Sequence, residues 1–262
     1  MNVAVSLPSR VLWHALRIGA RYLPDTASEA WTRREAARYW TAEYGVDWRA
    51  NAHWRSGLGE KTWHEVGESH LRIYQLFAKA FRLPPWPRVM LEWGCGGGAN
   101  AVTFAPIATR YIAADVSAQS TAECAAQVRA VCPTPVEERR IDLDQPRAAA
   151  AGLESQCDTF LCVYVIEATP GQADALEIVR IAESVLKPGG LAVIQVKYHT
   201  TDPLTRGRRR RSYRRRSALT TTFGIDEFWL RVQEIGLEPR LIHLVPRNDL
   251  DGRYAYFALT KP

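Results

Sequence analysis

The sequence lacks any hydrophobic run long enough to cross a membrane. No segment approaches the roughly 18 uninterrupted apolar residues that a spanning helix needs. The N-terminal region also lacks the apolar stretch and small-residue cleavage site of a secretory signal. With 47% hydrophobic and 24% charged residues, the composition is that of a soluble globular protein. We therefore expect a cytoplasmic protein whose 262 residues form one domain of ordinary size and an appendage.

Cysteine is scarce, and its spacing does not match the common metal or disulfide patterns. The five cysteines form no C-x-x-C pair and no zinc-like spacing with histidine. Their odd number and apolar neighbours predict reduced and mostly buried thiols. We expect no metal centre.

Excess positive charge is confined to one short segment. The net charge is +6, but eight arginines fall between Arg206 and Arg216, and without them 26 basic residues would face 28 acidic ones. The basicity is therefore local. Three roles stay open for this arginine segment: a solvated loop, a site for RNA phosphates with Tyr213 stacking on bases, or a clamp for an anionic small molecule.

Residues 1–87 predict a helical, tryptophan-rich cap. Residues 9–22 place basic side chains opposite apolar ones on a helix, which suits packing on a domain or subunit, or contact with an anionic membrane or acidic partner. Five of the nine tryptophans lie in residues 31–63. This cluster indicates either a lid over a pocket or an ordinary aromatic mini-core. A further helix is predicted over residues 65–81, before Pro84.

From residue 88 the pattern alternates between strands and helices. The predicted strands are residues 89–92, 111–115, 137–141, 159–165, 191–196, 241–245 and 254–259. The predicted helices are residues 99–108, 120–131, 173–186 and 225–235. Strict alternation predicts a doubly wound parallel sheet. The last two strands, joined by a turn-rich segment, predict an antiparallel pair.

A glycine loop follows the first predicted strand. In Glu92-Trp93-Gly94-Cys95-Gly96-Gly97-Gly98, glycines permit a tight turn and let a ligand lie against bare backbone. Asp115 ends the second strand, at the right reach for a carboxylate that accepts hydrogen bonds from ribose hydroxyls. The loop alone would suit a dinucleotide equally well.

These features, together with Asp142 and the turn Lys187-Pro188-Gly189-Gly190, resemble the class I S-adenosylmethionine-dependent methyltransferase family over about residues 88–261. The resemblance implies a Rossmann-like α/β fold with a seven-stranded, mostly parallel sheet and an antiparallel C-terminal hairpin. It implies S-adenosylmethionine as cofactor and S-adenosylhomocysteine as product. We accordingly divide the chain into the cap, residues 1–87, and a cofactor-binding domain, residues 88–262.

The resemblance also implies a set of cofactor-binding residues. These are Glu92, Gly94, Cys95, Gly96, Gly98, Asp115, Val116, Asp142, Leu143, Cys162 and Val163. The glycines would pass beneath the methionine and ribose, Asp115 would bind the ribose with Val116 beside the adenine, and Asp142 would meet the adenine amino group. An exposed loop carboxylate is the alternative for Asp142.

Two positions depart from the family pattern. Trp93 stands where a small or aliphatic residue is usual, so we expect its ring to find room nearby, against the aromatic cap. Many small-molecule members have a Glu-His pair after the fourth strand, whereas this chain has Glu167-Ala168 and lacks that histidine.

Methyl transfer to an oxygen needs a base to remove the hydroxyl proton, whereas a neutral amine needs only positioning. The site should lie beyond the C-terminal strand ends. The catalytic candidates are Tyr164, Glu167 and His199 there, and His64 and His70 from the cap. We choose His199 as the base, with a surface histidine as the alternative. Glu167 would instead hold the loop on the methionine side of the cofactor, bind a substrate cation or have a structural role.

The acceptor class rests on weaker signals. The fourth strand ends in Cys162-Val163-Tyr164-Val165, without the Asn/Asp-Pro-Pro-aromatic segment of enzymes resembling base-amino methylases, and no RNA-binding module is recognisable. We therefore expect a small-molecule acceptor in specialised metabolism, methylated on oxygen rather than nitrogen or carbon, and anionic if the arginines bind it. RNA methylation through the arginine segment, and cofactor binding without catalysis, are the alternatives. The sequence does not predict the oligomeric state.

Overall fold

The computed structural model describes residues 18–19, 24–42, 60–209, 211, 213, 219–245 and 253–262. The predicted helix over residues 9–22, much of the aromatic cap and part of the arginine segment lie outside the described residues. Within the described ranges, every helix is too short or too polar to span a bilayer.

A seven-stranded sheet forms the centre of the molecule. Its strands are β1 Val89–Trp93, β2 Arg110–Asp115, β3 Val136–Arg140, β4 Cys157–Cys162, β5 Leu186–Lys197, β6 Glu238–Leu244 and β7 Tyr254–Thr260. They are ordered β3-β2-β1-β4-β5-β7-β6. The first five strands are parallel, and β7 runs antiparallel to both β5 and β6. The predicted fold, with its antiparallel hairpin, is confirmed.

Helices cover both faces of this sheet. They are α1 Glu29–Trp40, α2 Glu60–Phe81, α3 Ala101–Phe104, α4 Ala118–Val131, α5 Gln172–Val185 and α6 Ile225–Ile235. Side chains of a strand alternate between faces, and Met90 of β1 accordingly packs with α2 and α4, while Leu91 packs with α5 and α6. Both faces of the parallel strands are therefore buried, as their apolar sequences require.

Helix α2 packs into the core of the sheet domain. Its residues Tyr74, Phe77 and Ala78 are buried in the same cluster as Met90 and Tyr111 of the sheet. A side chain at Gly67 would collide with the backbone oxygen of Ala99, because a Cβ there would lie only 2.4 Å away. This helix is therefore a layer of the domain rather than a separate lid. The division at residue 87 stays a prediction.

Three element boundaries differ from the sequence prediction for identifiable reasons. Strand β5 begins at Leu186, because the Gly189 N–H donates to Lys261 and the Gly190 carbonyl accepts from Lys261, which keeps this segment in the sheet. Strand β4 ends at Cys162, since Tyr164 takes a left-handed φ of 58°. The predicted helix over residues 99–108 is the short α3 followed by a 3-10 turn that contains a proline.

The ring of Trp93 lies against the sheet. It is 2% exposed and stacks on Phe160 of β4 with 6.3 Å between ring centroids. Because much of the aromatic cap lies outside the described residues, a contact of Trp93 with the cap stays a prediction. The neighbouring strand provides the room, because Trp93 and Phe160 point to the same face of the sheet.

Candidate active site

One cavity of about 490 Å³ opens at the C-terminal ends of β1, β2 and β4. Clefts of this size and position are where small-molecule ligands bind in α/β sheets. The glycine loop and the end of β2 form one part of its wall, and α1, α5 and the segment after β5 form the other. The lining residues that enter the argument are Arg33, Trp40, Trp63, Trp93, Gly94, Cys95, Gly96, Asn100, Asp115, Val116, Leu143, Asp144, Val163, Tyr164, Asp174, Glu177 and Tyr213.

The glycine loop is shaped by left-handed backbone at the cavity wall. Gly94 and Gly96 have φ values of 83° and 49°, a region that glycine enters without steric cost. The N–H groups of Gly94 and Cys95 both donate to the carbonyl of Ala114 on β2, which ties the loop to the sheet. A Cβ at Gly94 would lie 2.3 Å from the Val165 side chain, so the close approach requires glycine there.

Asp115 is held rigidly beside this loop. One carboxylate oxygen accepts from the Gly96 N–H at 3.0 Å, and the other accepts from the Ser117 N–H at 2.9 Å. Burial raises the pKa of Asp115, while these backbone hydrogen bonds act in the opposite direction. The result is a fixed acceptor on the cavity wall. Bare glycine backbone beside an oriented carboxylate fits the ribose and methionine parts of S-adenosylmethionine.

Several other cofactor candidates lie near the cavity but do not line it. The side chain of Asp142 is exposed and accepts from the Asp144 N–H, whereas Leu143 lines the cavity. Cys162 is fully buried in the core, and burial raises the pKa of its thiol. Gly98 has a φ of 96°, and a Cβ there would lie 3.1 Å from the Cα of Cys124. These placements favour a packing role for Gly98 and leave the cofactor roles as predictions.

Glu92 lies beneath the glycine loop, 1% exposed. Its carboxylate accepts from the amide of Asn100 at 2.7 Å and from the hydroxyl of Tyr111. Burial raises the pKa of Glu92 from 4.5 to about 7, against the effect of both hydrogen bonds. Glu92 therefore does not line the cavity itself, but it contacts Asn100, which does.

Of the five catalytic candidates, the structure brings only Tyr164 to the cavity wall. His64 is exposed on α2, with its ring against Trp63. His70 is 2% exposed and hydrogen-bonded on both ring nitrogens. Glu167 is fully buried and accepts from the hydroxyl of Tyr254 at 2.8 Å. None of these three lines the cavity.

His199 lies in the segment after β5, away from the cavity lining. Its Nδ1 is 3.2 Å from the hydroxyl of Thr222, which also accepts from the Gly207 N–H. Burial lowers the pKa of His199. The choice of His199 as base stays a prediction, and this placement does not favour it.

Two arginines of the segment from Arg206 to Arg216, Arg208 and Arg209, direct their side chains to the protein itself. Arg209 pairs with Asp25 at 2.7 Å and with Glu29 at 3.1 Å. Tyr213 is 3% exposed and its hydroxyl donates to the carbonyl of Ala168. The expectation that Tyr213 is available to stack on bases is therefore wrong, because its ring is buried in the cavity wall.

The sequence prediction missed the part of the wall that α1 supplies. Arg33 of α1 lines the cavity with its guanidinium 2.6 Å from Asp174 of α5, and the Trp40 indole donates to Tyr213. The concentration of tryptophans from Trp31 onward was the available signal. It could not show which ring would face the cavity.

Residues 91–192 match a family model described as a methyltransferase domain. In a comparison with curated proteins, nothing matches the chain significantly. Among solved structures, the N-methyltransferase NodS of Bradyrhizobium japonicum in complex with S-adenosyl-L-homocysteine has a TM-score of 0.61 at 16% identity, covering 88% of this chain and 98% of that one. Magnesium protoporphyrin IX methyltransferase of Synechocystis, with S-adenosylhomocysteine bound, has a TM-score of 0.56 at 12% identity over 90% of this chain and 95% of that one. A 1,6-didemethyltoxoflavin-N1-methyltransferase of Burkholderia thailandensis has a TM-score of 0.54 at 17% identity, over 77% and 84%.

The strand order, the glycine loop and the family match define the class of the protein. Residues 91–192 form a methyltransferase domain, and the protein is an enzyme with S-adenosylmethionine as cofactor and S-adenosylhomocysteine as product, on a seven-stranded sheet of the kind that the class I resemblance implies.

Proposed function

We propose that this enzyme methylates a small molecule held between the glycine loop and α1. The observation that carries the proposal is the single cavity that runs from Gly94, Gly96 and Asp115 to Trp40 and Tyr213. S-adenosylmethionine supplies an electrophilic methyl group on its sulfonium when it is bound there. Asp115 would hold the ribose and Val116 the adenine, leaving the aromatic end of the cavity to the acceptor.

The charges on the wall support a neutral or basic acceptor rather than an anionic one. Asp115, Asp144, Asp174 and Glu177 line the cavity together with Arg33. Asp174 is paired with Arg33 and Glu177 with Arg147 and Arg180, so the negative charge left on the wall is mainly that of Asp115 and Asp144. Because the Arg33 guanidinium is already paired with Asp174 at 2.6 Å, little positive charge is left for a substrate anion. The expected anionic clamp therefore lacks support among the described residues.

The same wall also bears on which atom of the acceptor receives the methyl group. The sequence favours oxygen, which needs a base. Of the predicted catalytic residues, Tyr164 alone lies on the wall, and none of the predicted histidines is there to act as the base. A neutral amine needs no base, only orientation close to the methyl donor. We therefore propose nitrogen as the acceptor atom, in a small molecule of specialised metabolism in the cytoplasm. Aromatic side chains at Trp40, Trp63 and Tyr213 would hold an apolar, flat body.

Two experiments test this function. Calorimetry should show binding of S-adenosylmethionine and S-adenosylhomocysteine to the purified, folded protein, and no binding would overturn the proposal. Release of S-adenosylhomocysteine with matched amine, phenol and carboxylate acceptors should then be fastest for the amine. Fast turnover with a carboxylate would refute the proposed acceptor class.

RNA methylation makes a separate prediction. An RNA enzyme would bind a structured RNA with a steep dependence on salt. We expect weak binding, since Arg209 is occupied by Asp25 and Glu29 and Tyr213 is buried. Tight RNA binding that is lost on Arg211→Ala, an exposed position in the segment, would favour RNA instead.

A further inference from the structure

A buried chain of hydrogen bonds crosses the domain from one side of the cavity to the other. It involves side chains of β1, α2, β5 and β7 and the residue before α3. Its members in order are Tyr164, Gln195, Tyr256, His70, Asn100 and Glu92. Of these, Gln195, Tyr256, His70, Asn100 and Glu92 are each at most 8% exposed. Such a network is costly to bury unless its members satisfy one another.

The donors and acceptors of the first half are fixed by Glu92. The carboxylate of Glu92 accepts from the amide nitrogen of Asn100 at 2.7 Å. The amide oxygen of Asn100 is therefore the atom that faces His70, 2.7 Å from its Nδ1. An amide oxygen only accepts hydrogen bonds. His70 must consequently carry its proton on Nδ1.

The same reasoning fixes the second half. A neutral His70 with its proton on Nδ1 has an acceptor at Nε2, so the Tyr256 hydroxyl, 2.9 Å away, donates to it. The Tyr256 oxygen accepts from the Gln195 amide at 2.9 Å, and the Gln195 carbonyl accepts from the backbone N–H of Tyr164 at 2.7 Å. All five hydrogen bonds therefore run in one direction, and each bond polarises the next.

Burial keeps the centre of the chain neutral. It lowers the pKa of His70 to about 4 and raises the pKa of Tyr256 well above its usual range. A charged His70 would present a second N–H to the Tyr256 hydroxyl and reverse that bond. The His70–Tyr256 pair thus stays neutral, and the one-way arrangement holds while Glu92 is ionised, above its pKa of about 7.

Two members of the chain, Asn100 and Tyr164, lie on the cavity wall. Asn100 lines it where the glycine loop leads into α3, on the cofactor side. Tyr164 lines it after β4, and its φ of 58° is uncommon for a residue other than glycine. The Gln195 hydrogen bond to the Tyr164 N–H holds that unfavourable backbone in place.

We infer that His70 is a positioning residue for methyl transfer, which holds Asn100 on the cofactor side and Tyr164 on the acceptor side of the cavity through this one chain. The inference rests on the proposed function, because it assumes that the cofactor binds beside Asn100. It gives a role to a histidine that lies too deep to touch a substrate.

The tautomer of His70 can be measured directly. In the full chain labelled with ¹⁵N-histidine, long-range ¹⁵N–¹H spectra at pH 8, where Glu92 is ionised, should show His70 protonated on Nδ1 and bare on Nε2. The ring should stay neutral down to about pH 5, given its lowered pKa. His70→Asn assigns the signal. A proton on Nε2, or a charged ring near pH 6.5, would overturn the chain.

Two substitutions at position 70 then separate positioning from simple packing. In His70→Asn the new amide can still donate toward Asn100, whereas His70→Phe removes that donor. We expect His70→Phe to weaken S-adenosylhomocysteine binding about tenfold, the effect of one hydrogen bond of ordinary strength, and His70→Asn to stay within about threefold of wild type. A merely structural histidine would lower the melting temperature of both variants and leave the affinity of the folded protein unchanged.

Tyr256→Phe tests the acceptor side, with Tyr74→Phe as its matched control. Both remove a buried tyrosine hydroxyl near α2, but Tyr74 bonds to Thr159 and lies outside the chain. With the best amine acceptor, Tyr256→Phe should lower kcat about tenfold and leave S-adenosylhomocysteine affinity near wild type, while Tyr74→Phe should change neither. Equal effects of the two variants would overturn the inference, and this pair remains informative if His70→Phe does not fold. Failure of the wild-type protein to bind S-adenosylhomocysteine would instead remove the proposed function.

Discussion

The indole N–H of Trp40 donates to the hydroxyl of Tyr213 across 2.8 Å, and that hydroxyl donates onward to the carbonyl of Ala168. Three distant parts of the chain meet at this point: the end of α1, the segment after β5 and the turn after β4. The acceptor side of the cavity is therefore assembled by tertiary contacts. The buried hydroxyl of Tyr213 makes these contacts specific.

Tyr213→Phe should destabilise the protein by about 1–3 kcal/mol, since it leaves the indole N–H of Trp40 without that acceptor. Chemical denaturation measures the change. Tyr198→Phe is the control, because among the described residues its hydroxyl has no hydrogen-bond partner. Unchanged stability together with a loss of RNA affinity in Tyr213→Phe would speak against the buried role.

Asp115→Asn should weaken S-adenosylhomocysteine binding about tenfold to a hundredfold. The substitution removes the charge and turns an NH₂ group toward the Gly96 or Ser117 N–H, which corresponds to about 1.5–3 kcal/mol. Calorimetry provides the measurement. Asp142→Asn is the comparison, and we expect it to change affinity little because its side chain is exposed. An equal loss in Asp142→Asn would restore the role that the family resemblance implies for it.

Gly98→Ala should cost more stability than Gly152→Ala. Both glycines have positive φ, 96° and 77°, so both alanines meet a left-handed penalty of about 1–2 kcal/mol. Only Gly98 also faces backbone, with a Cβ 3.1 Å from Cys124, and such overpacking adds about 1–3 kcal/mol. Thermal or chemical unfolding of the two variants gives the difference directly. Equal losses would mean that α4 moves aside without cost.

Glu92→Gln should change how stability depends on pH. The folded pKa of Glu92 is raised to about 7, above its usual 4.5, so its ionisation is penalised in the folded state. The stability of the wild type relative to the variant is greatest below pH 4.5 and falls as the pH rises to about 7, by at most about 1.4 kcal/mol per pH unit. Denaturation curves of both proteins at several pH values test this, and the opposite contribution of His70 cancels in the comparison. A difference that is constant with pH would contradict it.

Arg209→Ala should loosen the segment before α1, since Arg209 pairs with Asp25 and Glu29 there. The pairs are partly exposed, so we expect a loss of about 1 kcal/mol or less. Hydrogen–deuterium exchange of residues 24–42 should become faster in this variant and stay unchanged in Arg211→Ala. Unchanged exchange in both variants would show that α1 is held by its other contacts alone.

The order of the strands and helices was predictable because the spacing of apolar residues and the positions of glycine and proline indicate it. Apolar runs such as Phe160-Leu161-Cys162 and the glycine loop after β1 locate strands and cofactor wall without any tertiary information. The extension of β5 was not predictable, since Pro188-Gly189-Gly190 is typical of a turn and is kept in the sheet only by Lys261, far away in the chain.

The candidate site likewise has one part that was predictable from the sequence and one part that was not. Gly94, Gly96 and Asp115 reach the cavity because short local segments place them there. The chain from His70 to Tyr256 joins residues 186 positions apart, and no local pattern encodes such a contact. Gln195 was the one available signal, a polar residue within the apolar run of β5.

The order of the sheet also has a consequence for synthesis of the protein. Strand β7 is the last of the seven strands in the chain, yet it lies between β5 and β6 and hydrogen-bonds to both. While a ribosome is still making residues 254–260, the edges of β5 and β6 have no neighbour, and Tyr256 has not yet reached His70. Until β7 is made, the nascent chain therefore presents two unpaired strand edges, which are the kind of surface that other chains can pair with.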